Sequence, residues 1–169
     1  MSGEAGEKVV FDCVVFAQAL INPKRPAAAC LAFAQQRRVV VFVSDYVLQE
    51  IRELPQKINP RFGVTAERVD GLIQELAKFA QVVDQVAAIY AHPIDPDDSH
   101  YVNLALAAGA KLIASRDRHL LDLMDPTKAH GREFRSRFPD LRITTPELLI
   151  ASLRTAVAED KIKEDLPPK

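Results

Sequence analysis

The chain has 169 residues, 48% of them hydrophobic and 27% charged, with a formal net charge of −1 at pH 7. This composition fits a globular protein with one sizeable core. It excludes nucleic-acid binding through bulk basicity, so any RNA contact needs clustered basic residues. No apolar run approaches the ~18 residues of a membrane span, and the N-terminus lacks the features of a signal peptide. We therefore expect a cytoplasmic protein with no membrane segment.

Short apolar runs alternate with helical patterns in the first half of the chain. Runs at 9–11 and 39–43 predict strands that are buried on both faces. Helical patterns follow at 14–20 and 26–36, and a third helix, capped by Ser44, is expected to stop near Pro55.

The second half continues the alternation. Its predicted elements are a helix capped by Thr65, a brief strand at 82–83, an extended loop at 92–98, a helix ending at Gly109, a strand at 111–115, helical turns at 120–123, a strand at 141–143 and a helix starting at 145–147. This order predicts a three-layer α/β/α fold with a largely parallel sheet. We expect one domain at 8–157, a disordered lead-in at 1–7 and a charged, frayed tail at 158–169.

Four acidic residues stand where strands give way to other structure: Asp12, Glu50, Asp98 and Asp117. The carboxyl ends of parallel strands share one edge, where ligands bind, so these acids are expected to converge. Converging carboxylates repel one another and call for a cation. Hard oxygen ligands without a Cys or His cluster suit Mg²⁺ or Mn²⁺.

Each acid taken singly is explained equally well as a helix cap or a solvated side chain, and the shared site rests on the four together. For the neighbouring Asp95 and Asp97, loop solvation is favoured over a ligand role. The two cysteines, Cys13 and Cys30, belong to no C-x-x-C pair and are interpreted as reduced, buried thiols. Tyr46 is either a core residue or part of a pocket wall.

Three segments, at 9–16, 95–110 and 112–117, resemble the PIN domain, a family of metal-dependent ribonucleases. The likeness is greatest to the PIN-family toxins of bacterial toxin–antitoxin pairs. It implies a five-stranded parallel sheet, and it carries the metal-site acids onto Asp12, Glu50, Asp98 and Asp117. The chain departs from the family at Val14, where Asn is usual.

The chemistry of phosphodiester hydrolysis assigns roles to these acids. Asp12 and Asp98 are expected to bind the cation directly or through water, and Asp117 to complete the cation pocket. Glu50 is expected to orient a metal-bound water or to act as general base. His119 stands two positions after Asp117, where the family often has another acid.

Candidate RNA contacts surround the last of the four acids. They are Ser115, Arg116, Arg118 and His119. For Ser115 the alternatives are a hydrogen bond to a carboxylate or a phosphate, or simply the end of the strand. Further basic residues between 132 and 142 flank Phe134 and Phe138, and here a solvated helix with core phenylalanines is favoured over an RNA surface.

These observations predict a Mg²⁺- or Mn²⁺-dependent endoribonuclease, a toxin restrained by a protein antitoxin, with a homodimer possible by analogy. The alternative is a degenerate PIN module that binds RNA or a protein without cleavage, and Val14 favours it. A phosphatase-like hydrolase with Asp12 as nucleophile would need a second Asp at the position of Val14.

Overall fold

Five parallel strands form one sheet in the computed structural model, which describes residues 6–165. The strands are β1 (Glu7–Phe11), β2 (Val39–Ser44), β3 (Gln81–Val83), β4 (Leu112–Ala114) and β5 (Arg142–Thr144). Their order in the sheet is β3-β2-β1-β4-β5. The chain therefore builds outward from β1 on one side and returns to its other side at β4. The junction of β1 and β4 is the topological switch point, where α/β sheets bind ligands.

Helices flank the sheet, as the predicted three-layer α/β/α fold requires. The described helices are α1 (Cys13–Ile21), α2 (Pro26–Gln35), α3 (Asp45–Arg52), α4 (Leu54–Lys57), α5 (Ala66–Phe79), α6 (Ser99–Ala108), α7 (Arg118–Asp122), α8 (Ala129–Arg137) and α9 (Pro146–Glu164). Several starts are fixed by the expected caps, since Ser44, Thr65 and Thr145 each accept a hydrogen bond from a backbone N–H three residues on.

The core is densest around the central strand. Val9, Val10 and Phe11 of β1 are fully buried, as expected for a strand with neighbours on both sides and covered faces. Helix α6 packs on β1, β2 and β4, whereas α2 packs on α1, α9 and β2. Because α6 spans the sheet centre, its first residues lie at the switch point.

The structure shifts the edges of several predicted elements. Strand β1 begins at Glu7, inside the predicted lead-in, of which residues 1–5 lie outside the described part of the chain. Helix α9 continues to Glu164, past the expected start of the tail at 158. Its last turns are mostly exposed, so charged residues are compatible with the helix there. Pro55 lies within the short helix α4, where its missing N–H leaves no bond unmade. No helix among residues 6–165 is long and apolar enough to cross a membrane.

Candidate active site at the carboxyl edge of the sheet

The ends of β1 and β4 are joined by a chain of hydrogen bonds centred on Asp12. The backbone N–H of Asp12 donates to the carbonyl of Ala114, the last residue of β4, over 3.0 Å, which continues the ladder one residue past β1. Its Oδ1 accepts from the N–H of Val14 over 2.7 Å, and its Oδ2 accepts from the hydroxyl of Ser115. The Ser115 hydroxyl also accepts from the N–H of Asp117 over 2.9 Å. Of the alternatives for Ser115, the structure shows the bond to a carboxylate.

Glu50 accepts a hydrogen bond from one residue near the start of α6 and lies close to a second. The hydroxyl of Tyr101 donates to Glu50 Oε1 over 2.8 Å and accepts from the N–H of Cys13 over 2.9 Å. The Nε2 atom of His100 lies 2.7 Å from the same carboxylate oxygen. Burial raises the pKa of Tyr101, and the charges of Asp12 and Glu50 raise it further, so its hydroxyl stays a donor. Helices α1, α3 and α6 thereby meet at one carboxylate.

Asp98 is the least satisfied of the four acids. It ends a 3-10 turn (Pro96–Asp98) that leads into α6, and it is only 9% exposed. Its buried Oδ2 has no hydrogen-bond partner within residues 6–165. Burial raises the pKa of Asp98 to about 7, and the charges of Asp117, Asp95 and Asp12 contribute to the rise. A buried acid with an unpartnered oxygen among three other carboxylates is a poor arrangement without a cation.

The four predicted acids are close enough for their charges to act on one another, but among the described residues Asp12, Glu50 and Asp117 belong to no group of three ligating side chains within 4.8 Å. Burial raises the pKa of Asp12, its bonds to Ser115 and Val14 oppose that rise, and the charges of Asp117 and Glu50 add to it. Asp117 itself caps α7, because its Oδ1 accepts from the N–H of His119 over 2.7 Å.

Two further side chains join Asp98 at this edge. Within the described residues, the group of metal-ligating side chains whose donor atoms lie within 4.8 Å of one another is Asp95, Asp98 and His119. Asp95 Oδ2 lies 3.2 Å from His119 Nδ1. The sequence predicts solvation for Asp95 and an RNA contact for His119. The structure instead gives both residues the geometry of candidate ligands beside Asp98.

A buried histidine fixes the loop that carries Asp95. His92 is 2% exposed, and its Nδ1 accepts from the N–H groups of Ile94 and Asp95 over 3.2 and 3.0 Å. Its Nε2, 3.1 Å from the carbonyl of His119, must then be the protonated nitrogen and the donor. This ring therefore ties the loop before α6 to the start of α7.

The predicted RNA-binding arginines differ in their surroundings. Arg116 forms an ion pair with Glu147 in the first turn of α9. The side chain of Arg118 is 86% exposed, with Nε 3.9 Å from Asp122 Oδ2, a distance at which a surface pair contributes little. Arg118 is therefore free to meet a phosphate, whereas Arg116 would first have to leave Glu147.

The phenylalanines of the basic stretch between 132 and 142 pack in or against the core, as the sequence interpretation favours. Phe134 on α8 is 1% exposed, and its ring packs edge-on against Tyr90 and close to Phe138. Arg137 lies over the Phe138 ring and donates to the carbonyl of Ile89 over 2.9 Å. This arginine secures the segment before the site.

The remaining sequence interpretations concern Tyr46 and the two thiols. Tyr46 is 52% exposed and lines a cavity, so it is a pocket-wall residue and no part of the core. Cys13 and Cys30 are free thiols, and burial raises the pKa of each to about 12. Both are therefore protonated and unreactive near neutral pH.

Comparisons with known proteins identify the family of the chain. The sequence profile of the PIN domain matches residues 8–119, and the chain belongs to the PIN domain family. PIN domains are generally nucleases. No curated protein matches the chain. A similar solved structure is that of VapBC2 from Rickettsia felis, bound to a DNA fragment from its own promoter. The match has 11% sequence identity and a TM-score of 0.51, and it covers 80% of this chain and 96% of the matched one. At that identity it supports the fold alone.

Proposed function

We propose that this protein is a divalent-metal-dependent endoribonuclease of the toxin type, with its active site at the carboxyl edge of the sheet. Asp98 carries the proposal. A nearly buried carboxyl with an unpartnered oxygen and a raised pKa lies where Asp117, Asp95 and Asp12 add further negative charge. A fold that only needed a helix cap at this position would have no reason to keep such an acid.

The donor set fits Mg²⁺ or Mn²⁺. Asp95, Asp98 and His119 have ligand atoms within 4.8 Å of one another and would hold the ion. Asp12 and Asp117, whose charges act on Asp98, would complete the site as the family resemblance implies. Carboxylates suit both ions, while an imidazole nitrogen favours Mn²⁺ over Mg²⁺. When bound, the ion supplies Lewis-acid stabilisation of the negative charge on the reacting phosphate.

The chain's own residues divide the remaining work. The hydroxyl of Tyr101 fixes Oε1 of Glu50, and Oε2 would accept a proton from the attacking water. Ser115 and the N–H of Val14 fix both oxygens of Asp12, so its charge keeps one orientation. Arg118, exposed one residue after Asp117, would meet a phosphate of the RNA.

The proposal includes partners and location. The resemblance to PIN-family toxins adds a protein antitoxin, a possible homodimer and a cytoplasmic site of action. This part of the proposal rests on the family resemblance, since the likeness to VapBC2 is one of fold. RNA is preferred to DNA as substrate on the family resemblance alone.

A degenerate PIN module is the second candidate. Val14 presents an apolar, 39% exposed side chain beside Asp12, where an amide would help to orient the site. All four acids nevertheless face one edge, and this retention favours the enzyme.

Cleavage of labelled single-stranded RNA tests the proposal. The parent should cleave RNA with Mg²⁺ or Mn²⁺ and show no cleavage in EDTA. The Asp12→Asn and Asp98→Asn variants should show no cleavage under any of these conditions. Asp140→Asn, an exposed acid away from the site, is the matched control and should cut like the parent. Equal cutting by all four proteins would reveal a contaminating nuclease. RNA binding without cutting in any metal would favour the degenerate module.

A further inference from the structure

The carboxyl edge of the sheet that carries Asp12, Asp98 and Asp117 is called the acidic edge. A cavity of about 510 Å³ lies beside it, between α3, α6 and the loop that follows β3. Its size falls in the range of small-molecule sites, roughly 300–1,000 Å³. The cavity opens beyond the carboxyl ends of β2 and β3, and the proposed catalytic acids lie at the ends of β1 and β4. A strand of RNA that crosses this edge would pass both places.

Two aromatic rings form the wall of the cavity nearest the acids. The ring centroids of Tyr46 and His100 are 4.2 Å apart, with planes tilted by 44°. His100 also packs against Tyr101, with ring centroids 3.8 Å apart, whereas Tyr46 is 52% exposed, so Tyr46 is the ring that is accessible to a ligand. His100 in turn lies 2.7 Å from Glu50. The aromatic wall is therefore in direct contact with a proposed catalytic carboxylate.

The charges around the cavity decide which part of a nucleotide fits. Exposed carboxylates of Asp45, Asp84 and Asp97 line it, and they would repel a phosphate. The same oxygens accept hydrogen bonds from the amino or imino groups of a base. Burial raises the pKa of Tyr46, with the charges of Glu50 and Asp97 adding to the effect, so its hydroxyl is also a donor at neutral pH.

We propose that Tyr46, backed by His100, forms a stacking platform for one unpaired nucleobase of the RNA, inserted into this cavity next to the phosphate at the acidic edge. The inference rests on the proposed function and adds a specificity subsite to it. Cytosine, adenine and guanine carry exocyclic amino groups for the surrounding carboxylates, whereas uracil offers a single N–H. The subsite therefore prefers amino-bearing bases and requires single-stranded RNA, because a duplex hides its bases in the stack.

Affinity measurements test the platform without any need for cleavage. A short labelled single-stranded RNA is titrated in Ca²⁺, a hard cation that oxygen ligands accept, and a gel confirms that the RNA stays intact. Tyr46→Ala should weaken binding about five- to 150-fold, the equivalent of one base stack, while Tyr46→Phe keeps the ring and the affinity. Phe62→Ala removes an exposed ring that does not line the cavity, and this variant should bind like the parent.

A scan of single abasic nucleotides makes the test specific. At one position in the RNA, removal of the base should lower the affinity of the parent by the same factor as Tyr46→Ala does. The two changes together should lower the affinity no further than either change alone. Replacing that base by uracil should weaken the parent less than the abasic change does.

The outcomes separate this inference from the proposed function. If Tyr46→Ala binds like the parent while the parent cuts RNA in Mn²⁺, the platform is wrong and the ribonuclease stands. If the abasic scan finds the coupled position but no metal supports cleavage, the platform stands in a protein that only binds. A parent that binds no single-stranded RNA overturns the platform, and its cleavage assay decides the ribonuclease separately.

Discussion

The two sides of the acidic edge are built differently. On the β1–β4 side, both oxygens of Asp12 accept hydrogen bonds, from Val14 and Ser115, and the acid is 3% exposed. On the α6 side, Asp98 is almost as buried, yet its Oδ2 has no partner in the described chain. One carboxylate is satisfied by the protein, and the other is left for something that the protein does not supply. The hydrogen bonds on the Asp12 side fix the geometry of the site. A cation would be stabilised most on the Asp98 side, where a carboxylate oxygen has no partner in the described chain.

The largest expected effect comes from the unsatisfied side. Asp98→Asn removes the charge and keeps the shape, and we expect RNA cleavage in Mn²⁺ to fall more than about 100-fold, beyond the usual cost of losing a supporting contact to a metal ligand. Initial rates with labelled RNA measure this. A fall of less than tenfold in a folded variant would place the cation elsewhere and erase the distinction between the two sides.

The satisfied side should respond through geometry and stability. Ser115→Ala removes the donor to Asp12 Oδ2 and the acceptor for the N–H of Asp117. We expect a loss of about 1–3 kcal/mol in the free energy of unfolding and a roughly 10- to 100-fold slower cleavage. Denaturant melts and cleavage rates measure the two effects. Ser136→Ala, on the exposed face of α8, is the matched control. A Ser115→Ala variant as stable and active as that control would show that Asp12 needs no support.

Stability without metal should depend on pH through Asp98. Its pKa is raised from 3.8 to about 7 in the folded state, so the folded protein binds more protons than the unfolded chain between these values. The free energy of unfolding must then fall as pH rises from about 4 to about 7. Asp98→Asn should flatten this fall. Denaturant midpoints in EDTA across the range measure it, and identical slopes for parent and variant would mean that Asp98 ionises as freely as an exposed acid.

His119 should tune the choice of ion more than the rate. His119→Asp replaces a nitrogen donor beside Asp95 and Asp98 with oxygen, and we expect the preference for Mn²⁺ over Mg²⁺ to drop by up to about tenfold. Calorimetric affinities for both ions measure the ratio. An unchanged ratio would leave His119 as a partner of Asp95 alone.

The smallest effect is expected at Val14. Its side chain is 39% exposed, so Val14→Asn should fold without a buried, unsatisfied amide. An amide here could bond a site carboxylate and should raise the cleavage rate a few-fold. A folded variant with the parent's rate and metal affinity would make this departure from the family irrelevant.

Local pattern was enough to predict the sheet and its acids. Apolar runs such as 9–11 and 39–43 identify buried strands, and parallel order places residues that follow them at one edge. Asp95 and His119 were not predicted as a pair, because their contact depends on the path of a loop held by His92. The hold of Tyr101 on Glu50 was also missed, since the direction of a side chain on α6 is set by packing across the sheet.

Direct Mn²⁺ binding tests the central claim, that the acidic edge holds a divalent cation through its unsatisfied acid. Electron paramagnetic resonance titrations of free Mn²⁺ compare the parent with Asp98→Asn and with the exposed-acid control Asp140→Asn. We expect saturable binding by the parent and the control, and at least a tenfold loss for Asp98→Asn. Equal binding by all three proteins, or binding by none, would contradict the account.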